Sequence, residues 1–317
     1  MPGRRSTIGT RVAAALLTIG ILTLVVRKVP LDRFLAALQD AHYGLFLAVM
    51  VPNVVFYFCW DTLVLWKAIR WFHGEVSYRD LLPVRAASYV VGFFNTNAGR
   101  GTLAAYLWRR LDVPILELGG TVIFLLLTEY THLVLWAMLG ILAFQSAVTA
   151  SLLPIAGAVA AFWMVFFAYT RLHVTPWRAV RWLFAPREWQ LFRTFRQAPV
   201  KRYAQIVALR MPMFAVALCA HYYAARAFGI EIPFGHLLTF LPVIFMVAAL
   251  PVTVAHLGTT QAAWIYFFGQ FAPAPKLLAF SLVAHLTFSL TRAVLGLFWL
   301  PVAYGDLVQA RPARSFL

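Results

Sequence analysis

Six uninterrupted apolar runs, at about 8–26, 43–66, 118–145, 153–170, 204–228 and 277–304, leave this chain few ways to fold. An α-helix needs roughly 20 apolar residues to cross the hydrocarbon of a bilayer. Lipid offers the backbone no hydrogen-bond partners, so whatever is not helical at that depth must be buried in protein or line a wet cavity. The expectation is an all-α polytopic membrane protein. Composition agrees: 62% of the 317 residues are hydrophobic and 12% are charged, against roughly a quarter charged in soluble domains.

The net charge of +16 does not point to nucleic acid, because the basic residues fall between apolar runs rather than on one soluble face. They read as topology signals and as contacts to anionic membrane lipids. Cys59 and Cys219 both sit inside apolar runs, so neither a disulfide framework nor a zinc spacing exists. The first run follows Arg4, Arg5 and Arg11 and ends in LTLVVRKVP without a small-x-small cleavage site; it is expected to be a retained span.

Two further apolar segments are interrupted. Residues 81–109 break at Asn95 to Gly101, and 237–270 break at Pro251 to Thr260. Segment 171–203 carries eight basic residues against the single acid Glu188, whereas 146–152 has no charge and 229–236 no Lys or Arg. The first is therefore expected in the cytoplasm and the other two outside, with both termini cytoplasmic, as in a bacterial-type inner membrane. On that assignment the first broken segment enters and leaves from the cytoplasmic side, and the second dips in from the opposite side.

The spacing repeats. Runs starting at 43 and 204 differ by 161, Gly99 and Gly258 by 159, and runs starting at 118 and 277 by 159. Three spans per half make the second half inverted, so 1–150 and 151–317 are expected to be inverted repeats of six spans and two re-entrant hairpins. The Trp- and Arg-rich segment 177–199 falls outside this pattern and reads as an interfacial helix.

Only two of the 11 acidic residues, Asp61 and Glu129, lie within continuous spans, where a charge needs a partner or a wet cavity. Arg292 in FSLTRAVLG lies 163 residues after Glu129, near the repeat offset. The two are expected to face each other or a common cavity, either for transport or to fix helix packing. In FFNTNAGRGTLAAY, Asn95 and Asn97 precede Arg100, Gly99 and Gly101 permit unusual backbone angles, and Thr102 is placed to open a short helix. An arginine beside a helix start is shaped for phosphate; the alternative is an Arg100 that snorkels to headgroups. In the second break, Gly258 precedes a comparable start at Thr259, Thr260 and Gln261. His256 is the titratable group there, a candidate for the pathway or a satisfied neutral histidine. His132 shares a helix face with Glu129, but two ligands are too few for a metal site. No nucleophile elbow, HExxH, P-loop or catalytic acid pair occurs, so no enzyme, cofactor or metal is expected.

VGFFNTNAGRGTLAAYLWRR, LPVTVAHLGTTQAAWIYFFG, AIRWFHGEVSYRDLL and the lone Arg292 together resemble the flippase-like transmembrane family typified by the membrane half of lysylphosphatidylglycerol synthase. The resemblance spans nearly the whole chain, without the soluble aminoacyl-transferase domain, and lipid aminoacylation is not implied. Gln261 stands where that family usually has Glu, Ala104 where Arg is frequent, Tyr130 where Arg is usual, and the proline of the first turn is missing. The resemblance implies translocation of a phospholipid or polyprenyl-linked lipid. The alternatives are a non-transporting membrane partner that organises a lipid- or glycan-modifying enzyme, and an intramembrane enzyme acting on a lipid phosphate.

Overall fold

The computed structural model describes residues 30–94, 96–111, 113–144, 153–171, 188–249 and 258–309. The first predicted span, Asn95, His256, the loop 146–152 and residues 177–187 of the predicted interfacial segment lie outside these. The described residues form 11 α-helices and no strand: α1 Leu31–Gln39, α2 Tyr43–Phe72, α3 Tyr78–Phe94, α4 Thr96–Leu111, α5 Ile115–Ala143, α6 Leu153–Arg171, α7 Arg193–Gln197, α8 Val200–Ala227, α9 Phe234–Ala249, α10 Thr259–Phe268 and α11 Ala274–Gln309. Four of them, α2, α5, α8 and α11 as far as Ala303, are long and apolar enough to cross a membrane. At 1.5 Å per residue each reaches about 40 Å or more, beyond the roughly 30 Å of hydrocarbon. Leu290, Val294, Leu297 and Phe298 are exposed along α11, as lipid-facing residues would be.

A long helix, two shorter helices packed on each other and a second long helix occur twice in order, as α2–α5 and as α8–α11. The chain divides into two compact units. One comprises residues 1–55, 139–144 and 214–291; the other comprises 56–138, 145–213 and 292–317.

The second unit contains the hairpin α3–α4. Its open end is tied by an ion pair from Arg110 Nη2 to Asp80 Oδ2 at 2.6 Å. Near its tip the helices touch through backbone: a Cβ on Gly99 would stand 2.6 Å from the Ser88 carbonyl oxygen and 2.8 Å from the Gly92 Cα. The turn is sharper than the sequence suggests. Helix α4 already runs from Thr96, so Asn97, Gly99, Arg100, Gly101 and Thr102 are helical, and Thr102 does not open a helix. Neither Gly99 nor Gly101 has a positive φ. What Gly99 supplies is room, because Gly92 and Gly99 let two helices meet directly after the reversal.

Just beyond the hairpin's open end, His73 Nδ1, after α2, lies 3.5 Å from Glu117 Oε1 at the start of α5. The end of α2 and the start of α5 are therefore neighbours. His73 Nε2 also bonds Thr121 Oγ1 at 2.6 Å, which bonds Thr194 Oγ1 at 2.8 Å, and Arg193 Nη1 donates to Glu117 Oε2 at 2.7 Å. These bonds strap residues 190–197 onto the unit. Within the strap, which lies in the described part of the predicted interfacial segment, Phe195 is buried with ring neighbours Phe124, Phe166 and Phe192, because an aromatic pocket hides the ring from water.

The first unit contains the hairpin α9–α10. Phe240 stacks on Phe267 at 4.9 Å, and His236 meets Phe271 edge-on at 4.9 Å near the open end. The loop after α8 and the start of α11 are again neighbours, since a Cβ on Gly229 would stand 3.3 Å from Lys276 Nζ. The core around the hairpin is aromatic, with Phe46, Phe228, Trp264, Phe268 and Phe280 all buried.

Candidate functional site

Within the second unit the long helices bury charge. Asp61, on α2, is 5% exposed. It accepts a hydrogen bond from Arg85 Nε of α3 at 2.8 Å and another from Arg85 Nη2. The Tyr89 hydroxyl, one turn further along α3, donates to the same carboxylate oxygen at 3.3 Å. Arg210 of α8 approaches the other oxygen, with Nη1 at 4.0 Å.

Arg210 is 2% exposed. Its Nη2 donates to the Leu125 carbonyl at 3.2 Å, but Nε and Nη1 have no hydrogen-bond partner among the described residues. A buried polar group without a hydrogen bond costs about 1–3 kcal/mol, more if charged, which the ion pair of Nη1 with Asp61 offsets in part. His132 on α5 is buried and within electrostatic range of Arg210.

Arg292 of α11 lies over the Tyr89 ring at 3.7 Å and over Tyr57 at 5.8 Å, cation–π geometry that is worth most when desolvated. Gly296, one turn on, makes this possible. A Cβ there would stand 2.5 Å from the Ala86 carbonyl oxygen and 2.6 Å from Val90 Cγ2, so α11 lies close enough to α3 for Arg292 to reach Tyr89.

Glu129 and Arg292 do not form an ion pair among the described residues. They share a surrounding, since both lie within electrostatic range of Tyr57, as do Asp61 and Tyr89. Among the described residues the cluster thus holds Arg85, Arg210 and Arg292 against Asp61 and Glu129. Isolated charges at the centre of a membrane helix cost about 2.5–3.5 kcal/mol each on insertion scales; pairing and tyrosine contacts offset part of that.

The other expected residues fall differently. Gly99 is buried inside α4, Thr102 is exposed, and the side chains of Asn97 and Arg100 are not among the described ones. Gly258, Thr260 and Gln261 are buried at the start of α10, where the expected helix start is found. Arg85, Arg210, Tyr57 and Tyr89 were not singled out from the sequence. An arginine inside an apolar run, as in VALRMPMF, was the available signal for Arg210.

Long apolar helices that bury a paired charge cluster define a polytopic α-helical membrane protein. The chain belongs to the lysylphosphatidylglycerol synthase TM region family, whose model matches residues 11–296. No curated protein matches the chain.

Proposed function

We propose that this protein moves a phosphate-bearing lipid, a phospholipid or polyprenyl-linked lipid, between the leaflets of a bacterial-type cytoplasmic membrane, with both termini in the cytoplasm. The observation that carries this reading is the cluster that, among the described residues, sets three guanidiniums against two carboxylates, with Asp61 and Arg210 buried and Arg85, Glu129 and Arg292 half-buried. An anionic headgroup entering such a place finds donors already oriented, while its tails stay in lipid. In this reading the two hairpins are re-entrant and enter from opposite faces. Support comes from the neighbouring ends of the helices that flank each hairpin, His73 beside Glu117 and Gly229 beside Lys276: a segment that leaves and returns at adjacent helix ends has not crossed.

The test is movement of fluorescent phosphatidylglycerol in proteoliposomes, read by quenching of the outer leaflet. Wild type is expected to expose the inner-leaflet pool, and Arg210→Gln and Arg292→Gln to slow this at least tenfold while keeping the wild-type elution volume. Folded protein that leaves the inner pool protected would overturn the reading. That outcome would favour the non-transporting membrane partner, which Gln261, Ala104 and Tyr130 support by standing where the family resemblance has charged residues.

A further inference from the structure

The start of α10 uses only half of a buried amide. Gln261 folds back over the helix end, and its Oε1 accepts the Gly258 N–H at 2.7 Å, as the third helical residue of a capping box does. Gly258 has φ +91°, a conformation that side-chain-bearing residues rarely adopt. Capping accounts for the oxygen. It does not account for Nε2, which belongs to a residue 1% exposed and has no hydrogen-bond partner among the described residues.

A glutamate would cap equally well without leaving an N–H₂ unbonded, so the nitrogen calls for an acceptor of its own. Oxygen and nitrogen share one planar amide. The unused N–H₂ is therefore held at the helix start, where the positive end of the helix dipole favours negative oxygen. From Phe234 to Lys276 the sequence contains neither Asp nor Glu, so the hairpin supplies no carboxylate to fill the place.

We propose that the start of α10 is a phosphate-binding site in which Gln261 Nε2 donates to a phosphate oxygen, carried by a lipid headgroup or free in solution. The site belongs to the first compact unit, and its existence does not depend on lipid translocation.

The experiment uses the full chain in micelles, labelled with ¹⁵N at glutamine and tryptophan. The side-chain resonance missing from Gln261→Glu identifies Gln261. Dihexanoylphosphatidylglycerol is expected to shift that resonance saturably, and dihexanoylglycerol, which lacks phosphate, to leave it in place. Inorganic phosphate assigns the source: an equal shift makes free phosphate the ligand, and no shift makes it the lipid headgroup. Gln261→Glu keeps the capping oxygen and replaces the donor with a carboxylate. It is expected to weaken probe binding at least tenfold, followed at the indole of Trp264 one turn along, while the rest of the spectrum stays as in wild type. The proposal is overturned if neither phosphate probe moves the Gln261 resonance, or if Gln261→Glu binds like wild type. Protein that moves no lipid yet passes this test separates the failure of the translocation reading from that of the site.

Discussion

The two hairpins solve one geometric problem with different forces. The stretch 78–111 that forms α3–α4 carries Arg79, Asp80, Arg85, Arg100, Arg109 and Arg110, whereas 234–268, which includes α9–α10, has no Asp, Glu, Lys or Arg. The first is tied at its base by Asp80–Arg110 and bonded to α2 through Arg85–Asp61. The second is closed by stacked rings and a glycine-started, glutamine-capped helix. Similar shape therefore does not imply similar sensitivity. The charged hairpin should respond to loss of a counter-charge, to pH and to salt, and the aromatic one chiefly to changes of shape.

Asp61→Ala should have the largest effect. Removing one partner of a buried ion pair costs about 3–5 kcal/mol, and here it strands Arg85 and Arg210 together. Thermal unfolding in micelles is expected to show a large drop, which Asp61→Glu restores in part. No single charge removal within α9–α10 can do the same.

Gly99→Ala comes next, at about 2–3 kcal/mol, since the new methyl group meets backbone at 2.6 Å and 2.8 Å rather than a side chain that can swing away. Gly258→Ala should cost less, about 1–2 kcal/mol, because the penalty is one unfavourable φ. If the ranking of these two variants in the same melts were reversed, close approach would not be what holds the first hairpin.

The strap beside the first hairpin should add a smaller, pH-dependent effect. Burial lowers the His73 pKa, Arg193 adds to this, and Glu117 opposes it. The folded state thus resists a proton that the unfolded chain takes up near pH 6.5. Stability from this site is complete above that pH and declines as pH falls through the unfolded value towards the folded one. Melting points measured from pH 7.5 to 5.5 should fall in wild type and fall less in His73→Gln.

Arg110→Ala should matter least. Its pair with Asp80 is 35% and 41% exposed on the two sides, worth no more than about 1 kcal/mol, and 0.5 M salt should remove most of the difference from wild type.

Much of the fold was legible because lipid imposes length and apolarity on every crossing helix. The predicted runs 43–66, 118–145, 204–228 and 277–304 lie within or almost within the four long helices, and 153–170 falls on α6. Both interruptions in the apolar pattern turned out to separate helices that pack on each other. The site was legible only in part. Asp61, Glu129 and Arg292 stand out as charges in apolar surroundings, but Arg85 hides in a segment already rich in arginine. Arg210 stands in the apolar run VALRMPMF, but its partner Asp61 is 149 residues away in sequence.

By itself, the sequence determined that the chain is helical, that it belongs in a membrane and where its apolar helices are interrupted, since these follow from hydropathy and from the need to satisfy backbone hydrogen bonds within each segment. The tertiary structure alone decided which charges meet. Asp61 finds Arg85 at a distance of 24 residues and Arg210 at 149, and Arg292 settles on Tyr89 because Gly296 lets two helices close up. Pairing of this kind depends on helix rotation and on clearances of a few tenths of an ångström, which packing sets and which no local pattern of residues encodes.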